Sequence, residues 1–142
     1  MDRDNTGKIR TSYAVVKATG QKFEIMEAKE ILMPGASAQL AEVIALTRAL
    51  QLAKDQTANI YSDSAYVTHA IHIDAPHWMR KGFITSTGQP IKHLKEMTEL
   101  IEAVKFPSEV AVLKCKGHAE RTTLIARGNE AADAAAKKGS RL

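Results

Sequence analysis

The chain has 142 residues, 44% apolar and 25% charged, with a net charge of +4 and one cysteine, Cys115. That length supports a single core without disulfides or structural metal, and one thiol excludes an internal disulfide. No stretch has the unbroken apolar length of a membrane helix, and the basic balance leans toward an anionic partner such as nucleic acid.

The opening MDRDNTGKIR is charged and polar and does not read as a secretory signal. IRTSYAVVKA (9–18) and KFEIMEAKEILM (22–33) are rich in β-branched and apolar residues, with TGQ as the turn between them, which predicts a hairpin. A helix follows Pro34 and Gly35, capped at Ser37 and running at helical period through Leu40, Val43, Ile44 and Leu50. TANIYSD (57–63) reads as a short strand and Ser64 to Ile71 as a short helix. Residues 73–93 read as irregular, interrupted by Pro76, Gly82, Gly88 and Pro90. LKEMTELIEAVK predicts a helix and EVAVLKC a strand. HAERTTLIARG is loop-like, and GNEAADAAAKKG closes with a helix capped at Asn129. Strand and helix alternate from Ser37 onward, the pattern of an α/β sheet with helices on its faces.

Three acids stand out. Asp63 falls where the strand of YSDSAY gives way to a helix, the place where open α/β sheets build their sites. A helix cap is the plainer explanation of the same residue. Glu42 has Ala38, Gln39, Ala45 and Leu46 as its helix neighbours, so it sits among small and apolar side chains. A partly buried carboxylate needs a cation, a donor or a metal, unless it bends out to water at the edge of the helix. Asp133, within AADAAA, has flanking residues too small to cover it, although the helix dipole alone favours an acid near a helix start. Oxygen-rich sites of this kind suit Mg²⁺ or Mn²⁺.

HWMRKGF (77–83) mixes bases with aromatics. Arg80 and Lys81, with Lys92 and His93 beyond them, are candidates to meet phosphates, and Trp78 either stacks on the nucleic acid or packs into the core. His69, His72, His77 and His93 invite a zinc reading, since His69 and His72 share a helix face, but structural zinc sites usually use paired cysteines or closely spaced Cys/His sets, and Cys115 is the one cysteine. The lone thiol favours a reducing compartment or at least permits one.

The blocks SAQLAEVIALTRAL, NIYSDSAYV, WMRKGFITSTGQPIKH, KCKGH and ARGNEAADAAAK, in this order, resemble the ribonuclease H domain of retroviral polymerases, nearest the gammaretroviral and endogenous-element branch. The resemblance runs from about Gly7 to Lys138. It implies one domain over 1–142, a mixed β-sheet flanked by helices on both faces, and metal-dependent endonucleolytic hydrolysis of the RNA strand of RNA–DNA hybrids. Four carboxylates around two divalent ions, Mg²⁺ or Mn²⁺, are implied, with Glu42, Asp63 and Asp133 as three of the ligands. The loop histidine falls on His118, and Gln39 and Asn129 match positions that touch the hybrid. Other polymerase or integrase domains of a polyprotein are implied as partners, and no membrane.

The family's first carboxylate lies in a DGS block on a first, central strand ahead of GKIRTSYAVV. This sequence has no DGS, and Asp2 and Asp4 align with the loop after that strand. The resemblance thus describes a copy N-terminally truncated relative to the family, with its first strand and one metal ligand missing. Two rival readings follow: a catalytically impaired, domesticated module that binds the hybrid without cutting it, and a structural α/β domain whose acids are caps and solvated residues.

Overall fold

The first third of the chain pairs locally. The computed structural model describes residues 2–3, 9–19, 22–32, 36–85, 87–114, 131–132 and 134. Within it Asp2–Arg3 (β1) and Ile9–Arg10 (β2) form a short antiparallel ladder. Ser12–Thr19 (β3) and Lys22–Glu30 (β4) make the predicted hairpin, in register from Ser12↔Glu30 to Thr19↔Lys22. The register changes between Val15↔Glu27 and Val16↔Ile25, which leaves Met26 as an extra residue, a bulge that bends and twists the ribbon. β4 stops at Glu30 instead of running to residue 33. Its partner strand begins only at Ser12, so a last bond from the Ile31 N–H to the Thr11 carbonyl (2.8 Å) ends the ladder, and Leu32 is exposed.

Ser37 caps the next helix as expected, its Oγ accepting from the Leu40 N–H at 3.1 Å. That helix, Ala38–Leu52 (α1), buries Leu40, Val43, Leu46, Thr47 and Leu50 along one stripe, since residues three and four apart share a face. Thr57–Ser62 (β5) and Glu109–Lys114 (β6) pair in parallel from Thr57↔Glu109 to Ser62↔Lys114. A parallel pair cannot be joined by a tight turn, and here the crossover carries three helical segments.

The structure corrects the reading of this crossover. The chain does not turn irregular at residue 73 but stays helical to Lys81, through Ala65–His69 (α2), a π turn over Ala70–Asp74, and Ala75–Lys81 (α3). Pro76 explains both the expectation and its failure. Proline lacks an N–H and crowds the carbonyl four residues back, which normally breaks a helix. A wider π turn just upstream relieves that conflict, and Pro76 then falls in the first turn of α3, where no inner hydrogen bond is lost. Gly82, left-handed at φ 73°, closes α3. Beyond it Ile84 bridges Pro90 in antiparallel fashion, and the Gly88 N–H bonds the Thr85 carbonyl at 3.0 Å, so this stretch is a small folded hairpin. Leu94–Ala103 (α4) completes the crossover.

The core lies between the helices and one face of the parallel pair. Val43, Leu46 and Leu50 from α1 meet Val67 and Ala70, Ile91, Met97, Leu100 and Ala103 from α4, and Val112 from β6. Fully burying each of the larger side chains contributes about 1.5–3 kcal/mol. Ala131, Ala132 and Ala134 are helical, inside the helix expected at the end of the chain. Among the described residues, no helix is long and apolar enough to cross a membrane.

Candidate active site

YSDSAY sits at the carboxyl end of the parallel pair. β5 ends at Ser62, one residue earlier than the sequence suggests. The Ser62 Oγ accepts from the Ser64 N–H (3.1 Å), and the Ser64 Oγ accepts from the Val67 N–H (3.2 Å). The two serines therefore turn the chain and cap α2, because a short hydroxyl just outside a helix reaches an otherwise unsatisfied N–H. Asp63 is not the cap of this helix. It lies half-buried between the two serines, beside the register pair Ser62↔Lys114.

Glu42 is half-buried on α1, between the buried Ala41 and Val43. α1 packs against both β5 and α2, the two elements that Asp63 joins. Two hard carboxylate oxygen donors thus occur on packed elements. Asp133 lies outside the described residues, as do His118, Asn129 and the cysteine Cys115. Among the described residues, no group of three or more His, Cys, Asp or Glu stands where it could hold a metal.

The basic stretch divides. Arg80 and Lys81 are exposed in the last turn of α3, where cations complement the helix dipole. Trp78 is half-buried and packs against the core cluster, the second of the two fates open to it in the sequence. Lys92 donates to Oε1 of Gln39 at 2.8 Å, bringing together two residues singled out separately and 53 positions apart. His93, expected beside Lys92 as a phosphate contact, has its Nε2 buried with no hydrogen-bond partner among the described residues and serves as the left-handed residue before α4. His69 and His72 have separate partners: Nδ1 of His69 lies 3.0 Å from Oδ2 of Asp74, and Nε2 of His72 lies 2.7 Å from the Val112 carbonyl. The bond to Val112 spans 40 residues, so no local signal in the sequence could have disclosed it.

One further cluster lies apart from these residues. Tyr13 on β3 donates to Glu27 on β4, and the Arg48 guanidinium on α1 binds both Glu27 oxygens, Nε at 3.2 and 3.0 Å. Burial, the hydrogen bond to Glu27 and the Glu27 charge push the Tyr13 hydroxyl up to about 12. Burial works against the Glu27 carboxylate. Hydrogen bonds from Arg48 and Tyr13, with the charges of Arg48 and Lys29, outweigh it and hold Glu27 below its ordinary value. The network ties the hairpin to α1.

An RNase H family model matches residues 3–141. The Gag-Pol polyprotein of walleye dermal sarcoma virus is 47% identical over 103 residues, covering 72% of this chain and 6% of that polyprotein. Among solved structures, the RNase H domain of PFV superposes with a TM-score of 0.70 at 23% identity, over 92% of this chain and 80% of that one. The foamy viral protease-reverse transcriptase in complex with an RNA/DNA hybrid gives a TM-score of 0.68 at 21% identity, over 91% of this chain and 19% of that chain.

Proposed function

This chain belongs to the RNase H family, and we propose that it cuts the RNA strand of RNA–DNA hybrids endonucleolytically and with divalent metal, within a retroviral or retroelement polymerase polyprotein. The observation that carries the reading is the division of labour in YSDSAY. The two serines serve the helix start, so capping does not explain the acid between them.

Glu42, Asp63 and Asp133 are the residues that would hold the metal. Carboxylate oxygens fit Mg²⁺ or Mn²⁺, hard ions that keep part of their water shell and also bind substrate phosphates. When bound, such ions polarise the phosphoryl oxygens and yield a nucleophilic water at neutral pH. In the hydrolysis, water adds to phosphorus in line, the 3′ oxygen departs, and a proton must reach it. His118 is assigned the proton exchange, since imidazole titrates near neutrality. Arg80, Lys81 and Lys92 hold phosphates, Gln39 and Asn129 approach the sugar edges, and the exposed part of Trp78 offers a stacking surface. Recognition then depends on duplex shape and 2′-hydroxyls rather than on base sequence.

The test is a labelled hybrid incubated with the chain, with and without Mg²⁺, repeated with a DGS-bearing strand segment added ahead of Met1. Cleavage is expected only with metal and is expected to vanish in Asp63→Asn, whose fold is retained. Near-normal cutting by Asp63→Asn rejects the metal role. Binding without cutting in either form favours a binding module, and neither binding nor cutting rejects both readings.

A further inference from the structure

The helical run from the Ser64 cap to Lys81 joins the two halves of the proposed site. It starts one residue after Asp63 and ends on Arg80 and Lys81, roughly 25 Å away at the ordinary helical rise. Any rotation or bend within it moves the phosphate-holding end relative to the carboxylates. Its weak point is the π turn over Ala70–Asp74, where the regular bonding pattern is interrupted.

Two side-chain contacts act at that point. His69 and Asp74 bridge the turn from one end to the other, within the helical run itself. His72 reaches off it, with Nε2 2.7 Å from the carbonyl oxygen of Val112 in β6. A carbonyl can only accept, so Nε2 carries the proton and donates. Val112 is buried in the core and belongs to the strand that pairs in register with β5. The π turn is thereby fastened to the same two-stranded element that ends beside Asp63.

We propose that His72 is a positioning residue, which fixes the setting of α3 on the parallel pair and so places Arg80 and Lys81 at the distance from Asp63 that a bound hybrid requires. The inference rests on the reading of Arg80 and Lys81 as hybrid contacts. It predicts that losing the donor loosens α3 selectively, while a donor of similar reach restores it.

The test compares the full chain with His72→Ala and His72→Gln by amide hydrogen exchange and by the salt dependence of binding to an RNA–DNA hybrid. In His72→Ala, exchange at residues 77–81 should accelerate about fivefold relative to α1 and α4, the loss of one ordinary hydrogen bond. The slope of log affinity against log salt should flatten by roughly one phosphate contact or more. His72→Gln should match the wild type in both. Unchanged exchange in His72→Ala overturns the proposal, as does faster exchange with an unchanged slope, or failure of Gln to rescue. A wild-type chain without hybrid affinity overturns the hybrid reading and the positioning role with it. The exchange readout needs no nucleic acid and separates that failure from the loss of the His72 contact.

Discussion

Tyr13, Glu27 and Arg48 come from three elements and meet at one carboxylate whose side chain is only 9% exposed. A carboxylate withdrawn from water this far is stable only because donors and a cation replace the solvent. Glu27→Gln keeps the volume and removes the charge. It should cost about 2 kcal/mol in urea unfolding at neutral pH, the low end for bonds to charged groups because Arg48 stays partly solvated. The sign of the pH dependence follows from the direction of the shift. Glu27 titrates lower folded than unfolded, so its contribution is complete above the unfolded carboxylate value and disappears as pH falls through the folded one. The stability gap between wild type and Glu27→Gln should therefore narrow on acidification below about pH 4. A gap independent of pH would show that the charge is not what Glu27 contributes.

At the scale of elements, the segment YSDSAY shows how two residue types share one junction. Serine and aspartate are both good caps, so the sequence alone could not say which of them starts α2. The answer depends on backbone geometry: Ser64 is extended, with its Oγ placed to meet the Val67 N–H. Ser64→Ala should lower stability by about 1 kcal/mol. Asp63→Asn leaves the Ser64 cap in place and should be destabilised less than Ser64→Ala, so thermal unfolding of the two variants separates a cap from a site residue. Equal destabilisation by both would return Asp63 to a structural role. The same crossover holds the largest difference between expectation and structure. Proline and glycine in 73–93 read as breakers, yet Pro76 is absorbed by the π turn ahead of it and only Gly82 ends the helix. Breaker residues mark where a regular helix must change. The neighbouring turn decides whether it ends.

For the whole molecule, part of the basic excess visible in the composition stands on α3 and beside α1. Arg80 and Lys81 form an exposed cationic surface at the end of α3, and Lys92, from a remote segment, reaches Gln39 on α1. If that surface holds a nucleic acid backbone, each phosphate contact contributes to the salt slope. Arg80→Ala with Lys81→Ala should weaken hybrid binding and flatten the slope by roughly 1.4–1.8, about 0.7–0.9 per contact. Titrations at several salt concentrations measure it, and an unchanged slope would remove these two residues from the interface.

Local chemistry was enough to disclose the hairpin, the Ser37 cap on α1, the strands β5 and β6, the helix α4 and the family, because periodicity, turn residues and ordered motif blocks are properties of neighbouring residues. Only the folded chain assigned the cap of α2 to Ser64, turned the His93 ring inward, packed Trp78 on the core and joined His72 to Val112 and Lys92 to Gln39. The last two pairs are 40 and 53 residues apart, and Glu27 meets Tyr13 and Arg48 across 14 and 21 residues. Such contacts arise from the crossover that a parallel pair requires and from the way α1 lies across the strands. Both are set by how the elements pack, which residue spacing along the chain does not encode.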